Sequence, residues 1–461
     1  MIEFVSLYLG LLTGLQPVEV VVSPEVATVE ILLDGTSMAN LSSEPWYRKI
    51  DFGPRLQPRR LEAVAYDHEL RELGRVEQIV NLPRPAAEAS VVLDRNETGR
   101  VVAARLSWQS LARKVPLEVT ATLDGILIPV EDPQLISIPD HDPKAYHLLV
   151  FDLRFSRRDT VQVVAGFGGG YFGEATTELT AVPVITRRRR LPSLSELQGS
   201  VLMDGQPLPV ISADKGPANL LFVRDASADK IIRSFGREAR GVGGFGVTSA
   251  TGVTSSPSGI SGVAASPYDE LRRMLTLDSD VDIRLMWPAT KQVHREEVEM
   301  NLFPASPPMS AGDGGVFWAL TQDVILDQES DIQRLTDALA VAGVEAVREG
   351  RRRAVVMVLG PEPVDASQYD AGIVRSYLRS LKVPLYVWGV AKGGKKKKVS
   401  YPEWGEVTTI TSLNALRRAV RELEDDLERQ RILWVGGRHL PQALTVKTGT
   451  RLAPVVGEPA D

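Results

Sequence analysis

Three oxygen-bearing side chains stand at alternate positions in Asp225-Ala-Ser227-Ala-Asp229. Asp and Ser offer the hard oxygen ligands that Mg2+ and Ca2+ take, and such ions require about six of them. Asp225, Ser227 and Asp229 would supply three, and Asp313 or Glu362 would add one more. The same residues have a second use. Asp and Ser also accept the free N–H groups that open a helix, and the run DKIIRSFGREAR that follows has helical spacing.

Other candidate chemistry is sparse. The chain contains no cysteine, which excludes disulfides, zinc–thiolate sites and cysteine nucleophiles. Of five histidines, only His141 and His147 lie close together, in a turn-rich stretch leading into a strand. No Gly-x-Ser-x-Gly elbow is present. Gly166-Phe-Gly-Gly-Gly-Tyr-Phe-Gly173 lacks the Lys-Ser/Thr of a phosphate loop; it reads as a bulged turn or a close approach of backbones. Asp278, Asp280 and Asp282 alternate at a strand start but lack the spacing and terminal Glu of a calcium loop. The chain is therefore not expected to be an enzyme. A net charge of -6 gives no general attraction to nucleic acid or an anionic membrane. The aromatic content of 6% also offers little surface for base stacking.

The elements that would position Asp225 are legible. Leu220-Leu-Phe-Val223, Arg353 to Gly360 and Val383 to Val390 are continuous apolar runs, the pattern of strands buried on both faces. Ile332, Leu335, Leu339 and Val344 fall on one helical face. Ile373, Tyr377, Leu378 and Leu381 form a second, and Leu413, Leu416, Val420, Leu423 and Leu427 a third. Strands alternating with helices predict a parallel, Rossmann-like α/β sheet with helices on both faces. Ligands of such sheets sit at the carboxyl ends of the strands, here the loops at Asp225, Asp313, Gly360 and Glu362.

From residue 216 to about 425 these features resemble the von Willebrand factor A family, whose first strand ends in Asp-x-Ser-x-Ser. Here Asp229 replaces the second Ser, and the position of the family's later Asp reads Leu359-Gly360-Pro361. The resemblance implies a protein-binding domain with a degenerate metal motif. No cofactor is expected; the cation that the motif would admit is Mg2+ or Ca2+.

The remainder reads as modular β structure. Short alternating strands between about 16 and 84, including Thr28-Val-Glu-Ile-Leu-Leu-Asp-Gly35, resemble bacterial immunoglobulin-like modules. Strand patterns recur from 88 to 186, and the turn signal Leu-Asp-Gly returns at Leu123 and as Met203-Asp-Gly. Two immunoglobulin-like β-sandwiches are predicted at 1–85 and 86–190, then a linking hairpin at 191–215 and the α/β domain at 216–428. A small-residue insertion is expected at 236–266, and a C-terminal hairpin and tail at 429–461. The hairpins near 200–210 and 431–445 are expected to pair with each other.

Val5 to Leu15 is too short to span a bilayer, and no other segment reads as a transmembrane span. The expected function is non-enzymatic protein–protein interaction or adhesion, in an extracytoplasmic setting, with a protein partner or self-assembly. The alternative is a structural subunit of a cell-envelope or multiprotein assembly.

Overall fold

The computed structural model describes residues 2–6, 8, 10–83, 87–110, 115–155, 160–168, 179–187, 192–242, 272, 275–289, 303–322, 332–392, 401–447 and 451–456. A few side chains within these ranges, that of Asp313 among them, lie outside the description.

The first part of the chain is β structure. Strands Ile2–Phe4, Leu15–Val22 and Tyr47–Asp51 form one sheet. Thr28–Leu33, Thr36–Leu41, Arg59–Tyr66 and Glu72–Val80 form another. Every second residue of Thr28–Leu33 is buried, as the two-residue period of a half-buried strand requires. Val18, Ile31, Phe52 and Leu61 meet in the core between the sheets.

A second β unit follows. Ala87–Arg95, Val101–Ser110 and Ile136–Ser137 face Glu118–Leu123, Ile126–Ile128, Tyr146–Arg154 and Thr160–Gly168 across a core holding Leu106, Ile136 and Phe151. The two units share one topology. In each, the first, second and fifth strands make one sheet, and the fourth, third, sixth and seventh, in that order, make the other. The repeated Leu-Asp-Gly marks the hairpin between the third and fourth strands of both. Asp34 and Gly35 have φ of 51° and 77°, and Asp124 and Gly125 have 51° and 80°. Positive φ at both central residues is the type I′ geometry that matches strand twist. Met203-Asp204-Gly205 turns in the same way.

One strand belongs elsewhere than the sequence suggested. Leu179–Thr186, expected within the second module, pairs antiparallel with Gln430–Gly436. Its β-branched and apolar residues identify a strand, but the partner lies near the other end of the chain. With Val210–Asp214 and Leu452–Pro454 these strands form a four-stranded sheet. That sheet packs on a smaller one made of Val201–Met203, Gln206–Pro207 and Leu444–Val446. The chain leaves this third β unit after Val210–Asp214 and re-enters it at Gln430–Gly436, and those two strands pair with each other.

Between them lies a six-stranded sheet. Its order is Met309–Ser310, Val281–Met286, Ala218–Arg224, Arg352–Leu359, Leu385–Val390 and Thr408–Ile410. All pairs are parallel except that of the edge strand Met309–Ser310. Arg352–Leu359 is buried throughout. Helices Asp229–Val242, Gly315–Thr321 and Leu413–Arg429 cover one face, and Leu335–Ala346 and Ala371–Ser380 the other. The helix after Asp229 runs through Gly236 to Val242, into the expected insertion. Arg, Glu and Ala at 237–240 are good helix formers, which outweighs the small-residue reading there. The rest of the insertion, 243–266, lies outside the described residues.

The units are joined by specific contacts. The Tyr377 hydroxyl donates to the Asn81 carbonyl at 2.7 Å, and Arg438 pairs with Glu77 at 2.9 Å. Leu148 and Val164 of the second unit pack on Ile432 and Trp434. No described helix is long and apolar enough to cross a membrane.

Candidate functional site at the carboxyl end of the sheet

Ala218–Arg224 delivers Asp225 to the crevice at the carboxyl end of the sheet, where its side chain is completely buried. Its backbone leaves the strand and caps the turn Ala226–Ala228, which feeds the helix Asp229–Val242. Both carboxylate oxygens are engaged. Oδ1 accepts from the Ser227 N–H at 3.1 Å and from Gln333 Nε2 at 2.9 Å. Oδ2 accepts from the Ser227 hydroxyl and from the Gly360 N–H at 2.9 Å. A carboxylate has about four lone-pair positions, and four donors fill them.

Gln333 closes the network from the opposite side. Its Oε1 accepts from the Ala226 N–H at 2.9 Å, so one carboxamide joins the loop before helix Leu335–Ala346 to the end of strand Ala218–Arg224. Gly360 closes it from the neighbouring strand. A Cβ there would lie 2.1 Å from Ser227 Oγ and 2.4 Å from the Ala228 nitrogen, so no side chain fits. Tyr401 caps the crevice by donating its hydroxyl to the Gly360 carbonyl. Burial pushes this phenol up to about 12, and the Asp225 charge acts in the same direction.

The other expected ligands point away or lie apart. Asp229 pairs with Arg224 at 3.1 Å, compensating a guanidinium that is 1% exposed. Burial lowers the pKa of Arg224, while Asp229 opposes that shift. Asp313, expected beside Asp225, instead ends the turn Ala311–Asp313, which follows Ser310. Ser310 pairs antiparallel with Asp282 at the start of strand Val281–Met286, so Asp313 lies at the amino end of the sheet. Its side chain is outside the description. Glu362 is exposed in the loop beyond Gly360. The structure thus gathers Asp225, Ser227 and Gly360, and it does not bring Asp229 or Glu362 into contact with them. This set does not fit the cation that the motif implies: the lone pairs of Asp225 are taken by N–H and O–H groups, and the place of a further carboxylate is closed at Gly360.

The loop above the crevice is stapled down. Asp365 accepts from the N–H groups of Leu335 and Thr336 at 2.9 and 3.2 Å, and from the Thr336 hydroxyl, so it caps helix Leu335–Ala346 from outside it. Asp337 in turn accepts from the N–H groups of Gln368 and Tyr369. Over this base, Ile332 and Val364 are 39% and 60% exposed.

A second acidic group occupies the opposite end of the sheet. One ligand atom each from Asp278, Asp280 and Glu428 lie within 4.8 Å of one another, close enough to share a divalent ion. Lys215 Nζ stands among them, at 3.3, 3.2 and 2.9 Å respectively. Arg352, fully buried, reaches Asp280 at 2.6 Å. Asp282 is not part of this group; it pairs with Arg351 at 2.8 Å.

The histidine pair is a packing feature. His147 bonds Asp124 Oδ2 at 2.7 Å and the Asp142 carbonyl at 2.8 Å, with the His141 and Phe167 rings against it. Gly166 marks a close approach, since a Cβ there would lie 2.6 Å from Ile211 Cγ2. Residues 169–173 of the glycine run and the Lys395–Lys398 run lie outside the described residues.

Sequence reasoning missed Gln333, Tyr401 and Lys215. Gln333 carries no motif and sits far along the chain from Asp225, beyond any local spacing rule. Lys215 carried one signal: it lies just before the strand that faces the alternating Asp278, Asp280 and Asp282.

No family model matches the chain, and no curated protein does. Among solved structures, it is similar to the proximal thread matrix protein 1 of the mussel byssus with a zinc-occupied MIDAS motif, at 15% identity and a TM-score of 0.28. That match covers 48% of each chain, so this chain spans about half of that protein. The central fibronectin-III array of RIM-binding protein is similar at 9% identity, over 38% of this chain and 72% of that one, with a TM-score of 0.20. The fibronectin(III)-like modules of Clostridium thermocellum CbhA match 17% of this chain and 93% of theirs, at 12% identity and a TM-score of 0.16.

Proposed function

We propose that this chain is a non-enzymatic protein-interaction or adhesion protein. In this reading, immunoglobulin-like modules carry a von Willebrand factor A-like domain that meets a protein partner at the carboxyl end of its sheet. The observation that carries the reading is the contrast at that end. Asp225 beneath is fully satisfied from within, while Ile332, Val364 and Glu362 above it face solvent. Exposed apolar residues on a rigid base, rimmed by a charge, suit a protein contact. A partner of matching chemistry offers an apolar pocket flanked by a basic side chain, and it needs no bridging metal. Asp313 lies at the amino end of the sheet and takes no part in this contact.

A photo-crosslinking residue placed at Glu362 tests this. Crosslinks to one protein that persist in EDTA and disappear in Val364→Asp support the reading. Equal crosslinking from a control position such as Glu69, or loss in EDTA, overturns it.

The contacts that join the units, such as Tyr377 to Asn81 and Arg438 to Glu77, favour a second reading, a rigid structural subunit that self-assembles. Sedimentation of the full chain separates the two: a concentration-dependent oligomer favours the subunit. The same proposal puts the chain outside the cytoplasm, and cell fractionation would check it.

A further inference from the structure

We propose that the Gln333 carboxamide is a built-in replacement for a divalent cation, making the crevice a metal-free lock. A cation at this place would do two things: stabilise the buried Asp225 charge and tie the loops at the strand ends together. Gln333 and its neighbours already do both with neutral groups. Its Nε2 donates to Asp225 Oδ1 at 2.9 Å, and its Oε1 accepts from the Ala226 N–H at 2.9 Å. Its own backbone carbonyl accepts from the Ala366 N–H at 2.8 Å, which ties in the loop that follows Gly360.

Three independent features point the same way. First, the residue is 4% exposed and both ends of its carboxamide are hydrogen-bonded to the Asp225–Ala226 segment. A buried amide satisfied at both ends is costly to displace. Second, the Gly360 N–H occupies the remaining face of the carboxylate at 2.9 Å, and the backbone there leaves no room for a Cβ. Third, Asp229, the remaining acidic residue of the motif, is held by Arg224. A hard cation would have to displace several hydrogen bonds to gain two or three ligands, half of what it needs. The lock keeps the loops beneath Ile332 and Val364 in one arrangement whatever the ionic conditions. This inference does not depend on the partner reading, because it concerns the base of the crevice and not its rim.

The isosteric substitution Gln333→Glu sets a second carboxylate against Asp225. With the full chain, calorimetric titration with MgCl2, CaCl2 and MnCl2 should give the same heats for the wild type and for Asp225→Ala. Thermal unfolding of the wild type should not respond to these salts beyond a matched NaCl control. Gln333→Glu should unfold several degrees lower without divalent ions, and millimolar Mg2+ or Mn2+ should restore much of that loss. Wild-type cation binding that Asp225→Ala abolishes would overturn the proposal. So would a Gln333→Glu protein whose loss no divalent cation restores. Should Gln333→Glu not fold, Gln333→Ala provides the second arm: a lowered unfolding temperature supports the lock, and an unchanged one overturns it.

Discussion

The two ends of the central sheet hold carboxylates in opposite ways. At the carboxyl end, Asp225 is completely buried and held by four neutral donors. At the amino end, Asp278, Asp280 and Glu428 surround the Lys215 ammonium, with the Arg352 guanidinium behind Asp280. Either set, read as a list of residues, looks like a cation site. The difference lies in what the fold has already placed against the oxygens. At the crevice the turn after one strand, the residue beyond its neighbour and the Gln333 side chain present N–H and O–H groups, which stabilise a buried charge without adding one. At the other end the strands begin, solvent is nearer, and full positive charges balance the acids.

The sharpest way to break this comparison is Asp225→Ala. It strands the Gly360 N–H, the Ser227 hydroxyl and the Gln333 amide in the interior. Two or more stranded donors at about 1–3 kcal/mol each predict a loss on the order of 3–5 kcal/mol, read by scanning calorimetry of the full chain. A loss under about 1 kcal/mol would mean that the crevice is wetter than its burial indicates.

Arg352→Met comes next. Methionine fills much of the same volume, but the Gly216 and Leu427 carbonyls lose their donors, and Asp280 is left to Lys215. The expected loss is about 2–3 kcal/mol. Gly360→Ala should cost about 1–3 kcal/mol by overpacking, because the added methyl meets Ser227 and the Ala228 backbone. If Gly360→Ala were neutral, the crevice would have room that its geometry denies.

Much of this arrangement was legible in the chain. Leu220 to Val223 and Ala354 to Leu359 read as buried parallel strands because side chains on both faces are apolar. The Leu-Asp-Gly turns at 33–35 and 123–125 stood out because few residues tolerate positive φ at both turn positions. They mark the same hairpin in two units of one topology. Asp225 was legible as either a ligand or a cap, since both roles use the same oxygens. The choice between them rests on Gln333 and Gly360, which reach Asp225 only after the sheet has formed. Leu179–Thr186 failed for the same reason: its β-branched and apolar residues show a strand, while its partner Gln430–Gly436 comes from far along the chain.

The smallest effect sharpens the comparison most. Lys215 is 35% exposed and its partners are 47%, 34% and 28% exposed, so Lys215→Ala should cost under about 1 kcal/mol. That loss should shrink in 1 M salt, where the screening length is about 3 Å, whereas the loss from Asp225→Ala should not, because its donors carry no charge. The pH dependence follows from direction. Lys215 lies above its ordinary value: partial burial acts to lower it, but bonds to Glu428 and Asp280 outweigh burial. Its contribution is therefore present below the unfolded lysine pKa of about 10.4 and is lost as pH rises through the higher folded value. Asp278 lies below its ordinary value, chiefly through Lys215. Its contribution is present above the unfolded pKa of about 3.9 and is lost as pH falls through the lower folded value. The stability difference between wild type and Lys215→Ala should hence be flat between about pH 4 and 10 and shrink on both sides. Unfolding curves of the two proteins across that range measure it directly. A difference that shrinks in the middle of the range would mean that the Lys215 ammonium is not what holds the three carboxylates together.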